Sequence, residues 1–309
     1  MKFLIVFFLS SIILVSSFVG LIVAVDPYEK LGNTFFNLKT KAVAQSRENK
    51  FRMLESSSKK YEAFILGSSA AHRYPTHKVE ELTGLKTYNY AVQHSTPIDY
   101  LAITKHILSK HKPKLILLQL DFAAMDSGHR IDNRLYNSPL KDYLESAKKS
   151  SPSLFEFDYF TIEALIDSLR VFKVNYFGEA RHIYAADGNY VFKKVVPHKI
   201  KIKKSTNANY IFSQDRLDKL LKIQQLANEK NFSFKIITAP ISIGHLNEIF
   251  SEPILKQKHE EFIRRIKESF PSMINFQTLE IEKYKSYEYF LDSAHPTKKM
   301  SEIILESIF

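Results

Sequence analysis

Two short polar segments, far apart along the chain, contain side chains suited to ester chemistry. Ser69 follows Gly67 and Ser68 directly after an apolar run. His295 stands three residues after Asp292, near the C-terminus. A serine hydroxyl becomes a nucleophile when an imidazole accepts its proton, and a nearby carboxylate can hold that imidazole in the right orientation. These residue types predict a nucleophile at Ser69, a general base at His295 and an orienting carboxylate at Asp292.

Each segment also has an ordinary structural interpretation. Ser68 or Ser69 would cap a helix that begins near Ala70, because a serine oxygen readily accepts the first free N–H groups of a helix. His295 alone would be a loop histidine beside Pro296, at the start of the last helix. The catalytic interpretation therefore depends on whether the two segments meet on a common scaffold.

The elements that must bring these segments together follow an α/β pattern. From Tyr61 onward, short apolar runs alternate with longer amphipathic stretches, which is typical of a parallel sheet covered by helices. The predicted strands cover residues 63–66, 87–90, 115–120, 234–238 and 274–276. The predicted helices cover residues 72–82, 97–110, 214–230, 253–269 and 297–309. Ligands bind at the carboxyl ends of the strands in such a sheet, so the residues that follow each strand are the candidates for a site.

Further polar residues follow the second and third predicted strands. Asn89 and Ala91 stand at the end of the second strand, and His94 follows three residues later. Asp121 directly follows the third strand. Because these positions share an edge of the sheet with Ser69, we expect them to line the same pocket. A surface histidine is the plainer interpretation of His94, and the amide of Asn89 is a spare donor without an assigned target.

Taken in order, four segments resemble the sequence blocks of the SGNH (GDSL-like) hydrolases. They are residues 64–69, 88–91, 113–122 and 290–296. The closer resemblance is to membrane-anchored members that handle acyl groups on cell-envelope polymers, the DltD-like and AlgJ/AlgX-like proteins, and the Asp-Pro-Tyr sequence at positions 26–28 adds to it. The resemblance implies an α/β fold, a three-layer α/β/α sandwich with a mostly parallel, flavodoxin-like sheet.

The resemblance also implies roles for individual residues. Ser69 matches the nucleophile of the family, His295 its base and Asp292 the partner of the base. The oxyanion hole would use the backbone N–H groups of Ser69 and Ala91, where typical members have glycine at the second position. The asparagine that donates to the oxyanion in typical members is matched by Asp121. An ionised carboxylate ~4 Å from the oxyanion would oppose its charge by about 4 kcal/mol at an effective dielectric constant of ~20. Asp121 must therefore be protonated or point elsewhere, or the activity is lost.

The N-terminal segment predicts a membrane anchor. Residues 3–25 contain no charged side chain, and as a helix they would extend roughly 34 Å, enough to cross a hydrocarbon core of ~30 Å. A cleaved signal peptide is the alternative, but its apolar core would be shorter, at ~7–15 residues, and Ile22 is not the small residue expected in the cleavage motif. We expect a single-pass protein of the cytoplasmic (inner) membrane whose bulk faces the periplasm or exterior.

The predicted organisation of the chain has three parts. Residues 1–25 form the anchor, residues 26–60 a stalk or helical linker, and residues 61–309 an SGNH-like α/β domain with a capping insertion at about 122–209. The lysine-rich part of that insertion, residues 193–204, would be a solvated edge or a contact for an anionic glycan or lipid head group.

Composition excludes several classes of function. The chain has no Cys, so disulfides, thiolate metal sites and cysteine nucleophiles are ruled out. None of its 11 His shows the spacing of a metal site, so we expect neither a metal nor a cofactor. The net charge of +11 suits anionic lipids, glycans or nucleic acid alike. The anchor and the lack of a Walker loop disfavour nucleic acid.

These observations predict a membrane-anchored serine esterase or O-acyl (acetyl) transferase that acts on a cell-envelope polysaccharide or related polymer. The polymer or acylated glycan, and a membrane-embedded acyltransferase as a partner, are implied by the resemblance rather than by the residues. The alternative is a non-catalytic envelope assembly or polymer-binding factor with a degenerate site, which Asp121, Ala91 and His94 favour.

Overall fold

The computed structural model of the protein describes residues 2–27, 35–36, 46–144, 160–177, 183–191, 209–278 and 288–309. Within these residues, the strands are β1 (Ala63–Leu66), β2 (Thr87–Asn89), β3 (Leu115–Leu120), β4 (Ile183–Tyr184), β5 (Tyr190–Val191) and β6 (Ser233–Thr238). The α-helices are α1 (Lys2–Val25), α2 (Ser46–Glu55), α3 (Thr76–Thr83), α4 (Pro97–Lys110), α5 (Ile162–Phe177), α6 (Gln214–Lys230), α7 (Ile243–Ser251), α8 (Pro253–Ser269) and α9 (Lys298–Ile308). The predicted α/β class is confirmed.

A parallel sheet with the strand order β2-β1-β3-β6 forms the centre of the fold. Every residue of β1 and β3 is buried, as expected for central strands that are covered on both faces. The register places Ile65 beside both Asn89 and Leu117. The turns that follow these three strands, including the turn with Ser69, therefore leave the same edge of the sheet.

Three helices, α4, α6 and α8, begin and end where the sequence predicts. Thr96 and Asp99 form a reciprocal capping box at the start of α4, with Pro97 in the first helical position. The side chain of Ser213 accepts the N–H of Arg216 at the start of α6. Local capping chemistry thus fixes these ends.

The helix predicted over residues 72–82 is divided in two. Ala71–Arg73 forms a single 3-10 turn, and α3 begins only at Thr76. Pro75 causes the break, because its ring disfavours a helical conformation at Tyr74, which is extended. The 3-10 turn follows Ser69 closely and so belongs to the loops at the carboxyl edge of the sheet.

The strand predicted at residues 274–276 does not form. Ile274 makes an isolated parallel bridge to β6. The Phe276 N–H donates to the side-chain oxygen of Thr238 at 2.7 Å, rather than to a backbone carbonyl. The Asn275 side chain turns back onto the following backbone, so a single bridge replaces the predicted strand.

Helix α2, which lies within the linker predicted at residues 26–60, packs on the domain. Its Arg47 and Lys50 side chains are buried. The Arg47 Nε donates to Asp99 Oδ1 at 2.7 Å, and Nη1 donates to Asp132 Oδ2 at 3.2 Å. Two carboxylates from distant parts of the chain therefore hold this helix in place.

The β4–β5 hairpin belongs to the predicted insertion and packs beside β2. The Asn89 N–H donates to the Asp187 carbonyl at 2.9 Å. Gly188 has a φ of +75°, and a Cβ at this position would collide with the Asn89 carbonyl, so the close approach requires glycine. The lysine-rich residues 193–204 lie outside the described residues.

Helix α1 is long and apolar enough to cross a membrane. Most of its side chains are exposed, but Ile22 and Val25 in its last turn are buried against Ala164 and Val171 of α5. The end of the long apolar helix is thus attached to a second helix of the chain.

Candidate active site

The hydroxyl of Ser69 lies within hydrogen-bond distance of the His295 ring, with 2.8 Å between Oγ and Nε2. On the other side of the ring, Nδ1 lies 2.9 Å from Oδ1 and 2.8 Å from Oδ2 of Asp292. A carboxylate is only an acceptor, so Nδ1 carries the ring proton and Nε2 is left to accept from the serine. The structure therefore brings the three predicted residues together in the order that nucleophilic catalysis requires. All three are partly exposed, so a substrate can reach them.

Gly67 lets the chain turn sharply between β1 and Ser69. Its φ is +146°, and a Cβ at this position would lie 2.7 Å from the Ala71 Cβ and 3.0 Å from the Gln119 carbonyl oxygen. Only glycine tolerates both the backbone conformation and the close approach of β3. The nucleophile therefore follows the buried strand after only two residues.

The loop with His295 is braced at both ends. Phe290 is buried and forms an isolated antiparallel bridge with Pro296. Thr297 then caps α9, where its side chain accepts the N–H of Met300. The Ser242 N–H, in the loop after β6, donates to the Ser293 carbonyl at 2.9 Å. The imidazole is thus held by a short closed loop.

Asp292 is ionised at neutral pH. Partial burial raises the pKa of its carboxyl. The hydrogen bond and charge of His295, and the N–H groups of Ala294 and His295, outweigh that effect and lower the pKa to about 2. These N–H groups donate to Oδ1 at 2.9 and 2.8 Å. The same oxygen that orients the ring therefore also closes the turn.

Asn89 connects the turns after β1 and β2. It is fully buried, and its Nδ2 donates to the carbonyls of Ala71 and Tyr74 at 2.9 and 3.1 Å. Its Oδ1 accepts the Ala91 N–H at 3.1 Å and the Lys50 Nζ at 3.2 Å. Both the nitrogen and the oxygen of the amide are hydrogen-bonded within the protein. Asn89 therefore bridges the two turns and does not direct a hydrogen-bond donor at the substrate.

The two N–H groups predicted for the oxyanion hole differ in their surroundings. The N–H of Ser69 makes no hydrogen bond to the described residues. The N–H of Ala91 is bonded to Asn89, and Ala91 itself is completely buried. The predicted role of Ala91 therefore requires that this bond be released or shared.

Asp121 directly follows β3 and lies within reach of Gln119 in that strand, because its Oδ1 accepts from the Gln119 Nε2 at 3.4 Å. Burial raises the pKa of Asp121 above its ordinary value of 3.8, although the nearby Ser68 hydroxyl, the charge of His295 and Gln119 act in the opposite direction. The environment thus favours the neutral carboxyl more than water does, and a neutral carboxyl can donate a hydrogen bond.

His94 lines a cavity of about 310 Å³ together with residues 129–134, and its φ is +51°. No hydrogen bond among the described residues joins it to the triad of Ser69, His295 and Asp292. Its place in the pocket of the nucleophile stays a prediction.

His72 follows the first strand and could be expected from the sequence to line the pocket, but sequence reasoning missed Arg73 and Tyr190 near the triad. The buried His72 lies 2.9 Å from the Ala91 carbonyl, and its ring stacks on Tyr190 of β5, with 5.9 Å between centroids. Burial lowers the pKa of Arg73 to about 10, although Tyr190 and Asp292 raise it, so this residue remains cationic beside the triad carboxylate. Nothing in the spacing of these residues indicates that the hairpin would cover this edge.

Within the described residues, no group of three or more His, Asp or Glu side chains is arranged to hold a metal ion. Neither a protein-family model nor a curated protein matches the chain.

Proposed function

We propose that the protein is a serine esterase or O-acyl (acetyl) transferase, and that it is a membrane-anchored member of the SGNH group with a three-layer α/β/α sandwich. One observation carries this proposal: the hydrogen-bonded row from Ser69 Oγ through His295 to Asp292, with separations of 2.8 and 2.8 Å. Such a row activates an alcohol for attack on an ester carbonyl.

The reaction has two halves. Ser69 Oγ attacks the acyl carbonyl while its proton moves to His295 Nε2, and the imidazolium then gives that proton to the departing alcohol. Water or a sugar hydroxyl next attacks the acyl-serine while the imidazole takes its proton. The bond between the acyl carbon and Ser69 Oγ then breaks, and the imidazolium returns the proton to Oγ, which releases the acid or the acylated sugar. Asp292 remains ionised and stabilises the imidazolium throughout.

The oxyanion of the tetrahedral intermediate would lie against the Ser69 N–H. A second donor would come from the Ala91 N–H after its bond to Asn89 is released, or from the protonated form of Asp121. Each such donor contributes about 3 kcal/mol in sites of this kind. The activity of the site therefore depends on whether at least one of these two groups donates to the oxyanion.

The substrate and location follow from the resemblance and from α1. Helix α1 has 24 residues and no charged side chain after Lys2, which supports a single N-terminal span, placed here in the inner membrane. The proposal puts the domain outside the cytoplasm because long C-terminal domains translocate largely regardless of flanking charges. The resemblance to proteins that acylate envelope polymers favours a cell-envelope polysaccharide or related acylated polymer as substrate, and a membrane-embedded acyltransferase as partner.

A fluorophosphonate probe tests the enzyme proposal on the purified full-length chain. Labelling is expected in the native protein and in Ser251→Ala, which changes an exposed serine of α7, and it is expected to disappear in Ser69→Ala. Labelling that persists in Ser69→Ala would contradict the assignment of the nucleophile.

A second candidate function is a non-catalytic envelope assembly or polymer-binding factor. The observation that favours it is the bond between the Ala91 N–H and Asn89, together with a carboxyl at Asp121. The same probe distinguishes the two functions, because a folded native protein that fails to react with fluorophosphonate would support the binding factor.

A further inference from the structure

Helix α5 has apolar side chains on two opposite faces. On one face, Ala164 and Val171 are buried. The other face has large apolar side chains that are exposed, among them Ile162 at 74%, Ile166 at 42%, Leu169 at 53% and Tyr176 at 59%. These four residues are spaced by four, three and seven positions, which is a single stripe along an α-helix. Grouped exposed apolar side chains of this size indicate a surface that is covered in the working protein.

The buried face fixes where α5 lies. Ala164 and Val171 pack against Ile22 and Val25, in the last turn of α1. Phe36, eleven residues beyond the end of α1, meets Phe172 edge to face with 5.7 Å between ring centroids. Helix α5 is therefore attached to the end of the long apolar helix, which is the level at which the chain leaves the bilayer when α1 spans it.

We propose that α5 is an interfacial helix whose exposed stripe is buried among the lipid head groups and the first part of the acyl chains. Amphipathic helices bind membranes in this way, with their axis in the plane of the interface. The proposal rests on the membrane anchoring of α1 and is independent of the esterase chemistry.

Binding of α5 at the membrane interface would also orient the active site relative to the membrane. Only five residues separate the end of α5 from the β4–β5 hairpin. That hairpin accepts the Asn89 N–H through Asp187 and stacks Tyr190 on His72. The lipid contact is thus five residues along the chain from one wall of the site, and a second membrane contact beside the single span would restrict rotation of the domain above the membrane.

The absence of cysteine makes the proposal directly testable. Single cysteines are introduced into the full-length chain as Leu169→Cys, Ile254→Cys or Ile13→Cys, and each is labelled with the environment-sensitive dye NBD. Ile254 is the matched control, because it is an exposed apolar residue, at 65%, on α8. Ile13 in α1 reports the membrane span itself. The labelled proteins are reconstituted in phosphatidylcholine–phosphatidylglycerol vesicles, with and without lipids that bear a doxyl quencher at a shallow or a deep position.

The proposal expects blue-shifted NBD emission at position 169 with at least a twofold quenching by the shallow doxyl lipid. It expects quenching by the deep doxyl lipid at position 13 and a water-like, unquenched spectrum at position 254. Water-like emission at position 169 with quenching at position 13 would overturn the proposal for α5 alone. A blue shift at position 169 without lipid quenching would overturn it in favour of a covering protein surface. Absence of quenching at position 13 would overturn it together with the anchor, without affecting the fluorophosphonate result.

Discussion

Replacing Asp292 by asparagine tests whether the carboxylate acts on the imidazole. The asparagine side chain would keep an oxygen for the N–H groups of Ala294 and His295, which now donate to Oδ1 at 2.9 and 2.8 Å. Its amide nitrogen would then take the place of Oδ2, 2.8 Å from Nδ1. Two donors cannot face each other, so the ring proton would move to Nε2 and the base could no longer accept from Ser69.

The magnitude follows from the charge that the reaction creates. An imidazolium and a carboxylate about 4 Å apart attract each other by about 4 kcal/mol at an effective dielectric constant of ~20. The Asp292 side chain is 51% exposed, so solvent screening reduces this to about 2 kcal/mol, equivalent to a roughly 30-fold slower reaction. The inverted tautomer adds to the loss, and the combined effect in sites of this kind reaches about 10⁴.

The assay is the second-order rate constant for fluorophosphonate labelling of Ser69, with hydrolysis of p-nitrophenyl acetate as a parallel readout. Asp218→Asn is the control, because it makes the same chemical change on the exposed face of α6. Thermal unfolding verifies that the variants are folded. Labelling of Asp292→Asn within threefold of the native rate would refute the argument, since neither the charge nor the tautomer would then matter.

The stability of the same variant should depend on pH. Because the native pKa of Asp292 is about 2, below its ordinary value of 3.8, its ionised form stabilises the fold above about pH 4, and this contribution is lost as the pH falls through 2. After a discount for exposure, the contribution is about 1 kcal/mol. Asp292→Asn is therefore expected to have a lower melting temperature than the native protein at pH 7, and the difference should vanish near pH 2. A difference that is constant over this range would contradict the assigned pKa.

Three further variants test the surroundings of the triad. Asp121→Asn should increase labelling about tenfold at pH 7, because it supplies a donor of the kind that typical SGNH members have; unchanged labelling would show that this carboxyl does not face the oxyanion. The raised pKa of Asp121 means that its ionisation destabilises the fold as the pH rises above 3.8, so the same variant should gain melting temperature over the native protein at pH 7 but not at pH 3. Asn89→Ala should lower the free energy of unfolding by at least ~3 kcal/mol in urea titrations, because it removes four hydrogen bonds of a buried amide, among them those to the Tyr74 carbonyl and the Lys50 amine; a loss below about 1 kcal/mol would contradict the bridging role. Lys50→Met should leave the melting temperature unchanged or raise it, because burial of the amine is unfavourable, as its lowered pKa indicates, and an apolar side chain avoids the cost of desolvating it. The same variant should nevertheless slow labelling about tenfold. A normal rate would exclude any link between Lys50 and the Ala91 N–H as oxyanion donor.

The sequence was sufficient for the triad because each member depends on local rules. Ser69 follows a short buried run and a glycine, which indicates a tight turn at a strand end. His295 and Asp292 are close in sequence and precede a helix whose cap, Thr297, is readable from its type. Their meeting required only that both segments lie at the carboxyl edge of one parallel sheet, and the strand pattern predicted such a sheet.

Long-range burial explains most of what sequence reasoning missed. Helix α2 has the sequence SRENKFRMLE, whose charge is typical of a solvated surface, yet Arg47 and Lys50 are buried because Asp99, Asp132 and Asn89 supply their partners. Those partners come from three other parts of the chain. The pattern of residues within a ten-residue helix does not show which distant residues will pair with it. A polar helix that packs on the domain and an exposed linker therefore look alike in sequence.

The bond between Asn89 and Ala91 links the fold to the choice between enzyme and binding factor. Asn89 Oδ1 has two donors, the Ala91 N–H and the Lys50 amine. If an oxyanion draws the Ala91 N–H away, Oδ1 keeps the Lys50 amine, so the cost is one neutral hydrogen bond, about 1 kcal/mol. An oxyanion donor contributes about 3 kcal/mol to the transition state, which exceeds that cost. The engaged N–H is therefore compatible with catalysis, and the protonation of Asp121 is the stronger determinant of whether this site turns over an ester.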